Sequence, residues 1–296
     1  EGADWVARIP ATIARCEQRW SITVEPPFAG LSYNYIAPAN RLDGSPAVLK
    51  LGMPVRERHP EFATEIEALR TFSGRGCAQA IEVDEELGAI LLERVLPGDP
   101  LATVADDEAA TRIAANVMRR LWRSVPPDHP FPTVERWGQG FDRMRRTFHG
   151  GTGPLPDGMV RRAERLFAEL LSTSAPAVLL HGDLHHENIL AVDNQPWRNE
   201  GRRAWLAIDP KGITGEPAYE VGALLRNPWP QLLSMPQPDR ILARRVDQFA
   251  AELGFDRQRI VGWGLAQAVL SAWWCIEDNV PGWDFAIGCA ELLAAL

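Results

Sequence analysis

The stretch His-Gly-Asp-Leu-His-His-Glu-Asn at residues 181–188 constrains this chain more than any other feature. The apolar run 177–180 leads into it, and the apolar run 189–192 follows it. Short apolar runs on both sides of a polar block are typical of two buried strands joined by a tight loop. The pattern therefore predicts a loop that holds several charged side chains in fixed positions.

Two residues of this block have the spacing that phosphoryl transfer uses. In such enzymes an aspartate accepts the proton of the attacking hydroxyl, and an asparagine further along the same loop ligates Mg²⁺ on the phosphates. Asp183 and Asn188 fit these two roles. A second metal-binding carboxylate is expected after a later strand, and Asp209 follows the apolar run 204–208. We therefore predict Asp183 as the base, with Asn188 and Asp209 as metal ligands.

The block 181–188 is also compatible with two other interpretations. The loop could be purely structural, because Asp and Asn side chains often stabilise turns through hydrogen bonds to nearby backbone. It could also bind zinc, since His181, His185 and His186 lie close together. His181 and His185 have the spacing of zinc ligands on a helix, but the strand-like flanks supply no helix here.

The first part of the chain has the pattern of an antiparallel sheet. Strand-like runs cover 21–25, 33–37 and 47–51, and Asp43-Gly44 forms a turn between the last two. Lys50 lies at the end of the third run, where a strand lysine can hold nucleotide phosphates.

Helical patterns surround this sheet. Glu65 begins a helical stretch, from which it can pair with Lys50. Residues 4–20 predict an amphipathic helix that is interrupted at Pro10.

The second part of the chain is predicted to be helical. Apolar residues recur at helical spacing over 110–125 and 159–171, and three further helical stretches cover about 239–253, 258–277 and 284–295. The run 260–276 has no formal charge, but it is short for a membrane span. We interpret it as a buried helix.

Composition narrows the class of protein. A chain of 296 residues can build two lobes. The net charge is −8 and no Lys/Arg-rich block occurs, which argues against nucleic acid as a partner. The four cysteines are scattered and no secretory signal pattern is seen, so we expect a reduced, cytoplasmic protein that is not bound to a membrane.

A family resemblance covers the central motifs. The segments HGDLHHENIL (181–190) and AIDPKGITGEPAYEVGALLRNP (207–228) resemble the aminoglycoside phosphotransferase family, in its streptomycin 6-kinase-like (aminoglycoside/hydroxyurea resistance kinase) branch. The likeness is dense over 178–228 and thinner over 46–95. It implies an α+β, bilobal protein-kinase-like fold with a small antiparallel β-sheet N-lobe (1–94), a larger helical C-lobe (95–296), and ATP with Mg²⁺ in the cleft.

The resemblance also implies nucleotide-binding roles. It selects Glu65, rather than Glu67, as the partner of Lys50. Ser32, in the loop 27–34, is expected over the phosphates. Glu93 and Val95 are expected to offer backbone atoms to adenine at the hinge between the lobes.

The acceptor implied by the resemblance is a cationic, hydroxyl-bearing small molecule of the streptomycin type. The candidates to contact it are His186, Glu216, Glu277 and Asp278. Glu216 could instead cap and orient the helix that follows it, and we prefer that role for the nearby Glu220. We expect a monomer or a weak homodimer.

Other functions remain as alternatives. A kinase of another small metabolite, such as an amino sugar, would use the same catalytic residues. A nucleotide-binding module without activity is the alternative outside enzymes. A protein kinase is disfavoured, because Pro210-Lys211-Gly212 stands in place of the Asp-Phe-Gly motif.

Overall fold

The computed structural model describes residues 2–29, 34–52, 60–193 and 204–296. Within these residues the strands are β1 Ile22–Val24, β2 Tyr35–Arg41, β3 Pro46–Leu51, β4 Ala80–Asp84, β5 Ala89–Glu93, β6 Pro97–Pro100, β7 Val178–Leu180, β8 Ile189–Val192, β9 Ala204–Ala207 and β10 Ile213–Gly215. The α-helices are α1 Gly2–Trp20, α2 Pro60–Phe72, α3 Asp107–Leu121, α4 Val134–Gly138, α5 Gly140–Thr147, α6 Asp157–Ser172, α7 Val221–Leu225, α8 Pro238–Leu253, α9 Arg257–Glu277 and α10 Trp283–Ala294.

The chain divides into two compact units. The first comprises Glu1–Asp99 together with Leu190–Gly212, and the second comprises Pro100–Ile189 together with Ile213–Leu296. The sequence placed a single boundary after residue 94. The structure differs because the segment 190–212 returns to the first unit and adds β8 and β9 to it.

The first unit is built on a five-stranded antiparallel sheet of order β1-β2-β3-β5-β4. The hairpin expected around Asp43-Gly44 is present, with Asn40 opposite Pro46 and Tyr35 opposite Leu51. Strands β8 and β9 join β6 in a second, three-stranded sheet. Strand β5 of the first sheet ends at Glu93 and β6 of the second begins at Pro97, so the segment that carries Val95 connects the two sheets.

Helix α1 runs without interruption through Pro10, so the break predicted there is wrong. Proline removes one backbone hydrogen bond and destabilises a helix interior by about 3 kcal/mol. The apolar face of α1 compensates, because Trp5, Ile9 and Ile13 pack against a core cluster that contains Leu49. These side chains are half-buried, so each contributes part of the about 1.5–3 kcal/mol of full burial, and together with the buried Cys16 they offset the local cost.

Helix α9 forms the centre of the second unit. It packs against α6, α7 and α10, and its residues from Ile260 to Leu270 are buried throughout. Its length and composition would suffice to cross a membrane, but most of it lies inside the protein. This confirms the interpretation of the run 260–276 as a buried helix.

Strands β7 and β10 pair in an antiparallel manner in the second unit, with Leu180 opposite Ile213. This pair places the polar loop 181–188 directly at the end of a buried strand. The strand–loop–strand arrangement predicted around that loop is therefore observed, with β8 on its other side.

Candidate active site

A cavity of about 330 Å³ opens in the first unit. Its size lies in the range of small-molecule sites. The apolar lining includes Ile36, Val48, Leu92, Val95, Leu190 and Ile208. Its polar end is formed by Lys50, Glu65 and Asp209. An apolar chamber with charged groups at one end suits a ligand that has a flat apolar part and an anionic part.

Lys50 is the cation at this polar end, and only 2% of its surface is exposed. Its Nζ lies 2.5 Å from Glu65 Oε1 and also forms an ion pair with Asp209. Burial acts to lower the pKa of Lys50, but the two carboxylates outweigh it and raise the pKa. Lys50 therefore stays charged, and the structure brings the predicted pair Lys50 and Glu65 together with Asp209, the predicted metal ligand.

Glu65 is as deeply buried as its partner, with 6% of its surface exposed. Burial raises the pKa of Glu65, while the charge of Lys50 lowers it and that of Asp209 raises it. Removing the lysine would leave two carboxylates close together with no cation between them. The group is therefore held by mutual neutralisation.

Asp209 adopts a left-handed backbone conformation with φ of 60° directly after β9. Aspartate tolerates this region better than most residues. Its Oδ2 lies 3.9 Å from Lys211 Nζ, and the Lys211 carbonyl accepts a hydrogen bond of 2.8 Å from Thr64 Oγ1 on α2. The turn that carries Asp209 is thus tied to the helix that carries Glu65.

Glu93 and Val95 both line the cavity. The Glu93 N–H donates to Gln79 O at 2.8 Å, and its carboxylate accepts from Gln79 N–H at 3.1 Å. The carbonyl of Val95 lies so close to Gly98 that a Cβ there would be 2.8 Å from it. Ser32 lies outside the described residues.

In the second unit, hydrogen bonds between residues of the loop 181–188 hold this loop in a fixed conformation. Gly182 has φ of 89°, which permits the sharp turn into Asp183. His181 Nδ1 accepts the Asp183 N–H at 3.2 Å, and Asn188 Nδ2 donates to the Asp183 carbonyl at 2.9 Å. The loop thus brings together the predicted base and one predicted metal ligand.

The Glu220 carboxylate holds the first residues of this loop. Its carboxylate accepts the His181 N–H at 2.7 Å and the Gly182 N–H at 2.9 Å. Burial raises the pKa of Glu220 to about 7, partly offset by these two hydrogen bonds. The expectation that Glu220 caps the following helix is wrong, because its side chain makes no capping bond to α7. Its oxygens are used by the loop that carries Asp183.

Arg226 is a further polar neighbour of the predicted base, and sequence reasoning did not identify it. Its Nη2 lies 3.7 Å from Asp183 Oδ1, and its Nη1 donates to Gln267 Oε1. Gly222 makes room for this contact, since a Cβ there would lie 2.5 Å from Gln267 Oε1. Arg226 was present in the quoted family segment, but no spacing rule tied it to Asp183.

His186 lies in the same loop, yet its ring points into the protein. Only 5% of the residue is exposed, and Nδ1 has no hydrogen-bond partner among the described residues. Burial lowers the pKa of His186 to about 3, so the ring is neutral. Its predicted contact with the acceptor stays a prediction, and the burial of the ring does not support it.

The carboxylates predicted to face the acceptor have different surroundings. Glu216 is buried and forms an ion pair with Arg259, and it also accepts the Ala175 N–H at 3.3 Å. Glu277 forms a two-pronged ion pair with Arg143 at 2.6 and 2.9 Å. Asp278 is exposed at the end of α9. Glu216 is therefore enclosed, whereas Glu277 and Asp278 lie at the surface.

The described residues fit a metal ion that is completed by phosphates rather than one enclosed by protein. No three His, Cys, Asp or Glu side chains among them gather closely enough to hold a metal. The Nδ2 atom of Asn188 is used by Asp183 O and lies 3.2 Å from His185 Nε2, so Oδ1 is the atom that can ligate. Mg²⁺ typically takes one or two protein oxygens and fills its shell with phosphate and water.

The sequence of this chain is similar to those of known phosphotransferases. A model of the aminoglycoside/hydroxyurea antibiotic resistance kinase family matches residues 19–279. Streptomycin 6-kinase from Streptomyces griseus is 33% identical over 299 residues, which covers 99% of this chain and 92% of that protein. Hydroxyurea phosphotransferase from Kitasatospora aureofaciens is 30% identical over 290 residues, which covers 94% of this chain and 76% of that protein.

Solved structures show the same fold. Choline kinase LicA from Streptococcus pneumoniae superposes with a TM-score of 0.66 at 12% identity, and the match covers 100% of both chains. At that identity the likeness concerns the fold alone. It confirms the predicted α+β, kinase-like fold with an antiparallel-sheet part and a larger helical part.

Proposed function

This chain belongs to the aminoglycoside/hydroxyurea antibiotic resistance kinase family, and on that premise we propose that it transfers the γ-phosphoryl group of MgATP to a hydroxyl of a streptomycin-type aminoglycoside. Kinases of this family use ATP with a divalent metal. The observation that carries the choice of acceptor is the 33% identity to streptomycin 6-kinase, which extends over 99% of this chain.

Asp183 would orient the acceptor hydroxyl and accept its proton. The loop geometry supports this role, since His181 and Asn188 fix the backbone of Asp183 from both sides. Glu220 holds the start of the same loop through two backbone N–H groups. A base that is positioned in advance lowers the barrier by holding the reacting atoms in the right geometry.

The nucleotide would occupy the cavity of the first unit. Its apolar lining suits adenine, and Lys50 at the polar end would contact the phosphates with Glu65 as its partner. Asp209 and Asn188 would ligate Mg²⁺. The bound ion supplies charge neutralisation for the transferred phosphoryl group.

Release of ADP in the presence of different acceptors tests this proposal. Purified enzyme with MgATP is expected to release ADP with streptomycin. It should release it more slowly with amine-only aminoglycosides, and at the background rate with glucosamine. The variant Asp183→Asn, which lacks the predicted base, is the control that shows whether ADP release depends on this site. ADP release with glucosamine alone would contradict the streptomycin acceptor and favour an amino-sugar kinase.

A second acceptor is favoured by one specific observation, the 30% identity to hydroxyurea phosphotransferase. Hydroxyurea is small and uncharged, so it would need no anionic acceptor site. It belongs in the same assay. A kcat/KM for hydroxyurea that exceeds the value for streptomycin would favour this second function. Stabilisation by nucleotide without ADP release from any acceptor would indicate a non-catalytic binding module.

A further inference from the structure

Trp229 is a large aromatic side chain that the second unit leaves open to solvent. It is 52% exposed, whereas most aromatic side chains of this unit are buried or half-buried. The Phe285 ring meets it edge-on, with centroids 6.4 Å apart and planes at 86°. Gly282 packs closely too, since a Cβ there would lie 3.3 Å from Trp229 Nε1. The indole is therefore held in place on one side and exposed on the other.

The loop that carries Trp229 begins at Arg226, whose guanidinium lies 3.7 Å from the predicted base. This loop is fixed by hydrogen bonds from both ends. Asn227 Nδ2 donates to Ala223 O at 2.8 Å, and Asn227 Oδ1 accepts the Trp229 N–H at 3.1 Å. The Asn227 carbonyl also accepts a bond of 2.5 Å from the buried Arg245. Trp229 is thus rigidly connected to the surroundings of Asp183.

Asp284 lies in the chain between Gly282 and Phe285, the two residues that pack against the Trp229 indole. Burial raises the pKa of the half-buried Cys275 thiol, Arg226 lowers it, and Asp278 and Asp284 raise it. Cys275 therefore lies within the electrostatic reach of Arg226 and of both carboxylates. Asp284 and Asp278 are both exposed, and Asp284 directly precedes Phe285. An exposed aromatic face next to exposed carboxylates favours a ligand that is both planar and positively charged.

We infer that Trp229, with Asp284 beside it, forms a subsite that selects a guanidinium group on the acceptor. Guanidinium is planar and weakly hydrated, so it stacks on an indole face while its N–H groups bind carboxylates. An ammonium group lacks the planar face and gains less from such stacking. The inference rests on the proposed function, because it names the part of a streptomycin-type acceptor that this subsite holds.

Steady-state kinetics of Trp229→Ala tests the subsite. With streptomycin as acceptor, KM is expected to rise roughly 5- to 30-fold, the range between an exposed and a desolvated cation–π contact, while kcat and the KM for ATP stay within about twofold. Trp229→Phe should recover most of the loss, and Asp284→Asn should raise KM by about threefold. Leu42→Ala, which truncates an 88% exposed side chain of the first unit, is the control for a change in surface apolarity.

Specificity gives a readout that a merely structural Trp229 would not move. The ratio of kcat/KM for streptomycin to that for an amine-only aminoglycoside should fall in Trp229→Ala, since only the guanidinium contact is lost. An unchanged KM for streptomycin, or equal losses for both acceptors, would overturn the subsite while leaving the proposed function intact. A wild-type enzyme that does not phosphorylate streptomycin would overturn both.

Cys275 provides a second test that requires no catalysis. The other three cysteines have no exposed surface, so N-ethylmaleimide should modify Cys275 first. Streptomycin without nucleotide is expected to slow this modification in the wild type, and to do so less at the same concentration in Trp229→Ala. Equal protection in both proteins would place the guanidinium elsewhere and contradict the subsite.

Discussion

In the first unit, Asp209 forms a direct ion pair with the buried Lys50, whereas in the second unit hydrogen bonds with His181 and Asn188 fix the backbone of Asp183. The Arg226 guanidinium lies 3.7 Å from the Asp183 carboxylate, beyond ordinary hydrogen-bond distance. A cation in direct contact stabilises the charged form of a carboxylate, which suits a metal ligand. A carboxylate that must accept a proton is better held by its backbone.

The same contrast between ion pairs and backbone hydrogen bonds appears in the residues that support Asp209 and Asp183. Lys50 and Glu65 are both buried and both charged, so they depend on each other. Glu220 is also buried, but its neighbours are the uncharged N–H groups of His181 and Gly182. The predicted residues of the first unit therefore depend on ion pairing and those of the second unit on hydrogen bonds to backbone, and the two groups should respond differently to mutation and to pH.

The largest expected effect is a loss of turnover without a loss of stability. Asp183→Asn should lower kcat by about 10²- to 10⁴-fold, the usual contribution of a general base. The melting temperature should stay unchanged, because the side chain is 30% exposed and the loop is held through its backbone. ADP release and thermal unfolding measure the two quantities. Glu187→Gln, an exposed residue of the same loop, is the matched control. Near-normal turnover in purified Asp183→Asn would exclude this residue as the base.

Lys50→Met should affect both activity and stability. Removing one member of a buried ion pair leaves an uncompensated charge and costs about 3–5 kcal/mol. We expect a clear drop in melting temperature and a loss of roughly 100-fold in kcat/KM for ATP. The double variant Lys50→Met/Glu65→Gln should regain part of the stability but none of the activity. A single variant that melts like the wild type would show that the buried ion pair is not needed for folding.

Glu220→Gln should have an intermediate effect that depends on pH. The amide can accept only one of the two N–H groups, so we expect a loss of about 1–3 kcal/mol and a roughly tenfold drop in kcat. In the wild type, the pKa of Glu220 is raised to about 7 from its ordinary value of 4.5. The folded state then binds the proton more tightly than the unfolded state, so this contribution to stability is complete below about pH 4.5 and is lost as the pH rises through 7.

Thermal unfolding of wild type and Glu220→Gln between pH 5 and 8 measures this contribution. The wild type should gain stability relative to the variant as the pH falls. Comparison with the variant is needed because His186, whose pKa is lowered to about 3 by burial, acts in the opposite direction below its ordinary value of 6.5. A difference in melting temperature that does not change with pH would contradict a pKa of Glu220 that is raised into this pH range.

The smallest expected effect concerns Glu277, which sequence reasoning placed at the acceptor. Its carboxylate binds Arg143 in a partly exposed ion pair, and such pairs contribute about 0–1 kcal/mol. Glu277→Gln should therefore change the melting temperature little and the KM for streptomycin by less than about twofold. The matched comparison is Asp278→Asn, which removes the charge of the neighbouring exposed carboxylate. A tenfold rise in KM in Glu277→Gln would restore its predicted role at the acceptor.

Local patterns predicted those parts of the molecule in which neighbouring residues carry the signal. The loop 181–188 was predicted because apolar runs flank it, and Lys50 because it ends a strand-like run ahead of a helical stretch, whereas the choice of Glu65 over Glu67 as its partner came from the family resemblance. Helix α5 was missed, since it has only eight residues and only Phe141 and Met144 mark its apolar face. Strand β4 was missed, since it has only five residues and two of them are acidic.

Contacts between distant residues could not be predicted in this way. Glu220 reaches backbone atoms 39 and 38 residues earlier in the chain, and backbone N–H groups leave no trace in side-chain patterns. Arg226 and Gln267 are 41 residues apart and meet only because Gly222 leaves space between them. The continuous α1 helix likewise reflects packing on the sheet rather than the local preference of Pro10.

The return of the segment 190–212 to the first unit has a consequence for biosynthesis. Lys50 is translated long before Asp209, and the strands β8 and β9 are made only after much of the second unit. A nascent chain therefore cannot complete the first unit until residue 212 has left the ribosome. Until then the cavity lacks Leu190 and Ile208, and Lys50 can pair with Glu65 but not with Asp209.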